Sequence, residues 1–305
     1  MDAPGFTLRQ LSYLVAAAEA GTIAGASTRL HVSPSAISDA LTELETALGE
    51  KLTIRRRAHG LTLTSAGELV VTRGRALLVE ADEIVRDLRS AEGELAGPIT
   101  IGCYPTLAPT VLPPLLAEFG AAHPRVQLQI IEATHDELDG RLSAGAVDVA
   151  FVYDTLVPGN PRRERLFELP AHVLLAADDP FAGHETLALE QLADRDLILL
   201  DAPPSSQHTL SLFTALGLTP RIRHRTASYE AVRTLVGRGL GYGILVQRPA
   251  NPATYEGYPV LMKEISPPVP PVGIEVIWPT SPPPTPRTRA LIDFARSIRW
   301  PGPRI

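Results

Sequence analysis

A chain of 305 residues has room for two or three domains with sizeable cores. Charged residues make up 20% and hydrophobic ones 45%, as in ordinary soluble domains, and no apolar run reaches the roughly 18 residues of a membrane span. One cysteine excludes an internal disulfide and a multi-cysteine metal site, and a net charge of −6 argues against a coat of positive charge while leaving room for a local basic patch.

The opening stretch MDAPGFTLRQLSYLV starts acidic and turns amphipathic, unlike a signal peptide, so the expected compartment is the cytoplasm. A first helix is expected from Thr7 to about Ala20, with Leu8, Leu11, Leu14, Val15 and Ala18 as its buried stripe and Gly21 as its stop. Thr22 caps a short second helix, Ile23 to Leu30, whose Ala24, Gly25 and Ala26 permit a close helix crossing. In HVSPSAISDALTELETALG, Ser33 is an N-cap, Pro34 fits the first helical position, and Gly49 ends the helix. Ile37, Leu41, Leu44 and Leu48 form an apolar stripe of helical period. Ser35, Ser38, Asp39 and Thr42 recur on the other face, where a solvated helix would carry Lys and Glu. Two helices joined by so tight a break form a helix-turn-helix, whose second helix touches bases through its N-terminal residues. Ser and Thr donate to or accept from base edges, and Asp accepts from cytosine N4. Glu43 and Glu45 add negative charge to the same helix.

EKLTIRRRAHGLTLT alternates Leu52 and Ile54 with Thr53 and Arg55, then Leu61 and Leu63 with Thr62 and Thr64, around a turn at Gly60. This is a β-hairpin carrying Arg55, Arg56 and Arg57 at its tip and Lys51 at its base, charges suited to DNA phosphates. Residues 1–64 therefore read as a winged helix-turn-helix DNA-binding domain. A proline-free helix follows from Ser65 to about Ala91, opened by the capping-box pair Ser65 and Glu68. Val70, Gly74, Leu77, Ala81, Ile84 and Leu88 are spaced 4, 3, 4, 3, 4, a heptad seam that needs a partner. This is a linker and dimerisation helix over 65–92, and EGELAGP, Glu92 to Pro98, reads as a hinge.

Beyond it, in an effector-binding domain over 93–305, strands alternate with helices: ITIGC, VQLQIIEA, VDVAFVY, AHVLLAA, DLILLD, RIRHRT, GYGILVQ and GIEVIW are strands, with later helices near 207–216, 228–238 and 286–299. The alternation means parallel-rich sheets with helices on both faces. About 210 residues are many for one such sheet, so two lobes with a cleft are expected, lobe I about 98–164 and 270–305, lobe II about 165–269. Ligands of open α/β sheets gather at strand ends, near helix N-termini. Cys103, Tyr104 and Thr106 lie at one strand-to-helix turn, Ser205 and Ser206 at another, and Thr134, Tyr153 and Thr226 at strand ends. As a set they are the candidate effector contacts; singly, each hydroxyl serves equally as a local cap, and Cys103 as a small core residue.

With these elements in order, the chain resembles the LysR-type transcriptional regulators. The resemblance rests on GTIAGASTRLHVSPSAISDALTELETALGEKLTIRRRAHGLTLTSAGE, and further on PTVLPPLLAEFGAAHPRVQLQI, LVGRGLGYGI and GAVDVAFV. It implies an α/β fold: an N-terminal winged helix-turn-helix, a linker helix, and a C-terminal two-lobed, periplasmic-binding-protein-like (type II) effector domain. It also implies a small-molecule inducer of unknown identity in the cleft, and dimers through the linker helix, often paired into tetramers. Such a dimer would read an interrupted palindrome in double-stranded DNA. No cofactor, metal or membrane partner is expected. The absence of a Walker loop, a GxSxG motif or a metal-spaced His pair argues against an enzyme. The alternative is a solute-binding protein of a transport system, whose fold the second domain would share; the winged-helix segment separates the two.

Overall fold

Helices α1 (Leu8–Ala20), α2 (Ile23–Leu30) and α3 (Pro34–Leu48) each begin on a hydroxyl that accepts a backbone N–H: Thr7 from Gln10, Thr22 from Gly25, Ser33 from Ala36. Each ends on a left-handed residue, Gly21, His31 and Gly49. Leu11, Leu14, Ala17, Ile37, Leu41 and Leu44 converge as the core of this unit. The computed structural model describes residues 5–56, 60–89, 95–155, 157, 159–281 and 283–300.

Strands β1 (Thr53–Arg56) and β2 (Gly60–Leu63) pair antiparallel, Thr53 opposite Leu63 and Arg56 opposite Gly60. The hairpin is fastened to the helices, since the Leu61 N–H donates to the Gly21 carbonyl at 2.8 Å. Gly60 is required there: its φ is +75°, and a Cβ would stand 2.5 Å from that carbonyl oxygen.

Helix α4 (Ser65–Arg89) packs its first half on α1 of its own chain. A Cβ on Gly74 would lie 3.3 Å from Leu11 Cδ2, and Val71 is buried beside it. Gly74 thus serves an intramolecular crossing, not the expected intermolecular seam. Leu77 and Ile84, from the same seam, remain 48% and 61% exposed. The Leu88 side chain lies outside the described residues.

Strand β3 (Gly97–Cys103) leads through α5 (Ala108–Pro114) and a π-helical turn, Leu115–Phe119, into α6 (Gly120–Ala122). The π turn follows Pro113 and Pro114, which lack the N–H groups that regular helical bonding would use. Next come β4 (Val126–Glu132), α7 (His135–Ser143), β5 (Val149–Tyr153) and β6 (Arg162–Leu169). Lobe II holds β7 (His172–Ala176), β8 (Thr186–Leu187), β9 (Asp196–Leu200), α8 (Ser205–Thr214), β10 (Arg221–Thr226), α9 (Tyr229–Gly237), β11 (Gly243–Leu245) and β12 (Val260–Ile265). The chain returns to lobe I as β13 (Val272–Trp278) and α10 (Pro286–Ser297).

Lobe I is a five-stranded sheet in the order β4-β3-β5-β13-β6, with β13 antiparallel to β5 and β6. Every residue of β5 is buried, as in a strand covered on both faces. Lobe II has the orders β11-β7-β12-β8 and β10-β9, joined by a bridge between Leu197 and Tyr242. Because β6 belongs to the lobe I sheet through Leu169, the chain crosses between lobes after that residue, later than the 164/165 boundary expected from sequence. Charges on β6 are paired: Arg165 is bonded to Glu168 and lies 3.0 Å from Asp154, while Arg163 lies 3.8 Å from Glu275.

Candidate DNA interface and interlobe cleft

On α3 the two faces separate as the period demands. Ile37, Leu41 and Leu44 are at most 1% exposed, whereas Ser35, Asp39 and Thr42 face solvent and Ser38 is half-buried. Ser33 and Pro34 are exposed at its N-terminus, and the Ser33 and Ser35 hydroxyls are 3.0 Å apart. The Thr42 hydroxyl donates to the Ser38 carbonyl at 2.9 Å, which leaves its lone pairs outward as acceptors.

The two glutamates leave this face. Glu43 accepts from Gln10 on α1 at 2.9 Å. Glu45 is buried, its carboxylate accepting from Lys51 Nζ at 2.6 Å and from the backbone N–H groups of Leu52 and Thr53 at 3.0 and 3.1 Å. Burial works to raise its pKa, but Lys51 and the donors of Leu52 and Thr53 outweigh it and hold the carboxyl below its ordinary value. The charge expected on the recognition surface is a clamp between α3 and the wing. Arg55 and Arg56 are residues of β1, but their side chains, like all of Arg57, lie outside the described residues.

The second site lies between the lobes. Thr106, Tyr153 and Thr155 from lobe I face Ser205, His208, Tyr229 and Gln247 from lobe II across a cavity of about 20 Å³. Thr106 and Tyr153 share a 2.8 Å hydroxyl–hydroxyl hydrogen bond. The Gln247 carboxamide crosses the gap: Thr110 donates to its Oε1 at 2.9 Å, and its Nε2 donates to the Tyr153 hydroxyl at 3.2 Å. The Tyr229 hydroxyl donates to the Gln247 carbonyl at 2.6 Å. Burial pushes the Tyr153 and Tyr229 hydroxyl pKa values up, so both stay protonated. The buried Nε2 of His208 has no hydrogen-bond partner among the described residues, and burial lowers the ring's pKa against a weaker opposing pull from Asp154. A wider chamber of about 590 Å³ adjoins, sharing Thr155, His208 and Val272 and walled by Pro267, Pro268, Pro270 and Pro271.

Of the candidate effector contacts, Thr106, Tyr153 and Ser205 line the cavity. Tyr104 stands behind it, its ring edge-on to Tyr153 and its hydroxyl donating across the lobes to the Ala202 carbonyl at 3.2 Å. Cys103 is fully buried in the lobe I core. Ser206 is buried and lies off the cavity wall. Thr134 closes the capping box of α7, and Thr226 accepts the Ser228 N–H at 3.2 Å, so both do local work. Sequence reasoning missed His208, Tyr229 and Gln247. His208 alone had a local signal, lying three residues after Ser205 on the same helical face.

A helix-turn-helix with a wing, joined by a long helix to two lobes with a small cavity between them, defines a DNA-binding regulator with a ligand-binding domain. Residues 8–68 match the bacterial regulatory helix-turn-helix family of lysR type, and residues 92–299 match the LysR substrate binding domain. The chain belongs to the LysR family of bacterial transcriptional regulators. The helix-turn-helix match leaves the transport alternative without support. The chain is 40% identical to the C-terminal domain of a probable LysR family regulator from Rhodococcus sp. RHA1, over 66% of this chain and 99% of that one, with a TM-score of 0.65. It is 36% identical to HinK, a LysR family regulator of Pseudomonas aeruginosa, over 95% and 98% of the two chains, with a TM-score of 0.64. It is 29% identical to a hydrogen peroxide-inducible genes activator of Dickeya chrysanthemi over 78% of each chain. Among the described residues no helix is long and apolar enough to cross a membrane.

Proposed function

We propose that this regulator reads DNA through the exposed row Ser35, Ser38, Asp39 and Thr42 with the wing arginines on flanking phosphates, and that a small molecule enclosed between the lobes controls that binding. It works as a homodimer in the cytoplasm and catalyses no reaction. The observation that carries this reading is the cleft: its walls come from both lobes, hydrogen-bonded across the gap through Gln247, on the same chain as the polar face of α3.

Peroxide sensing by thiol chemistry does not fit. Oxidation begins at a thiolate, and disulfide formation needs a second thiol. Cys103 is the one cysteine, it is fully buried, and burial together with Glu132 pushes its pKa up. A reversible ligand in the cleft is the signal proposed in its place.

Footprinting upstream of the gene and its neighbours tests the DNA half. A protected two-fold site is expected, with half-sites spaced by about 10 bp or multiples of it. The absence of any protected two-fold site would overturn the reading. Thr106→Val and Ser205→Ala, in opposite walls of the cleft, should each weaken the inducer's effect on that footprint without lowering the melting temperature much.

A further inference from the structure

If the cleft is the effector site, as proposed above, its lining also constrains the charge of the ligand. Among the described residues that line the inner cavity none is ionised: the polar groups are hydroxyls, the neutral His208 ring and the Gln247 carboxamide. The arginines nearest in sequence are paired elsewhere. Arg248 pairs with Glu264 through two contacts of 2.6 and 3.0 Å, and Arg233 is held by Glu230 and by the carbonyls of Asn251 and Ala253. Asp154, in the wall of the adjoining chamber, is likewise paired, with Arg165 at 3.0 Å. An enclosed anion would therefore lose its hydration and find no cation in the wall of the inner cavity. Taking an unpaired charge out of water is strongly unfavourable.

The cavity also holds a sample of what it accepts. With about 20 Å³ free, the inner cleft has room for roughly one water. What fills it is the Gln247 carboxamide, an uncharged group that accepts from Thr110 and donates to Tyr153 while it is nearly buried. A ligand entering from the proline-walled chamber must part these contacts and satisfy the same hydroxyls, and the unpartnered Nε2 of His208 offers one more bond. Around them Leu200, Pro204, Ile244 and Val272 supply apolar wall.

We propose that the ligand of this regulator is an uncharged molecule with an apolar ring or branched body and an amide- or hydroxyl-type group, and that the Gln247 carboxamide stands where that polar group would sit. Isothermal titration calorimetry on the full-length protein near pH 7.5 tests this with matched pairs: benzamide against benzoate, and cyclohexanecarboxamide against cyclohexanecarboxylate. The amide of a pair should bind about tenfold or more tightly than its carboxylate. Gln247→Ala, which removes the internal occupant, should tighten amide binding, whereas Tyr153→Phe, which removes a partner, should weaken it. General damage to the fold cannot move the two in opposite directions. A carboxylate binding better than its amide would overturn the proposal and leave the effector cleft standing. Binding of neither member of either pair, or amide binding indifferent to both substitutions, would overturn the effector cleft as well.

Discussion

Glu45 lies on α3 between buried Leu44 and exposed Thr46, and its carboxylate is buried against the wing. Its Lys51 partner is mostly exposed, so solvent screens that contact, and the buried backbone donors of Leu52 and Thr53 share the interaction. Glu45→Gln should cost about 1.5–3 kcal/mol, the range for hydrogen bonds to a charged group. The carboxyl pKa is depressed in the fold, so this stabilisation is present above the unfolded value of about 4.3 and is lost as pH falls through the folded one. Urea unfolding of the two proteins should differ at neutral pH and converge in acid. His172 on β7 has the opposite chemistry. It is 0% exposed, both ring nitrogens lack partners among the described residues, and burial, aided by Arg248 and Arg233, lowers its pKa to about 3. The unfolded chain takes up a proton near pH 6.5 that the folded chain refuses, so stability falls as pH drops below about 6.5, by roughly 1.4 kcal/mol per unit. His172→Leu should remove that slope and two unsatisfied buried atoms together. A variant whose acid limb matched the parent's would contradict the assignment.

At the scale of elements, legibility followed the locality of the forces. A hydroxyl cap, a proline in the first turn, a terminal glycine and a 3.6-residue stripe are all contained within α3, and each is realised in the structure. The wing was legible for the same reason, because its two strands are sequence neighbours. Strands β6 and β12 were not: β6 carries four charges in its first four residues, counting Arg162, Arg163, Glu164 and Arg165, and it is a strand because β13, about a hundred residues later, pairs with it. The wing also makes a prediction as a unit. Its first strand carries Arg55 and Arg56, and its second is tied to the α1–α2 turn by the Leu61 N–H. Replacing Arg55, Arg56 and Arg57 by alanine should weaken binding to all DNA alike, and each lost phosphate contact should reduce the log–log salt slope by roughly 0.9. Ser35→Ala or Ser38→Ala should instead alter the ranking among operator variants at constant slope. Fluorescence anisotropy over a salt series separates the two classes.

At the scale of the whole molecule, the contacts that matter most are those no single stretch contains. Gln247 meets Thr110 and Tyr153 across the lobes, and no periodicity points to such a meeting; it exists because two separately folded sheets face each other. The linker helix poses the same question one level higher. Its N-terminal half has its partner in α1, through Gly74 on Leu11 and buried Val71. Farther along, Leu77 and Ile84 lie one heptad apart at 48% and 61% exposure. Isolated exposed leucines are ordinary, but repeats at heptad spacing make a stripe that a second helix can cover. Burying such a side chain contributes about 1.5–3 kcal/mol, and in a two-fold dimer each residue counts twice. Leu77→Asp would set two unpaired carboxylates into that interface, each costing several kcal/mol once desolvated. The side chain is half exposed in the single chain, so the same change should alter the stability of the folded protomer little. Sedimentation equilibrium should find the full-length protein dimeric or larger at tens of micromolar and Leu77→Asp shifted toward monomer. Operator affinity should fall steeply with it, because the two recognition helices are no longer held one palindrome apart. A parent protein already monomeric at that concentration, or a Leu77→Asp variant of unchanged mass, would show that this stripe is not where two copies meet.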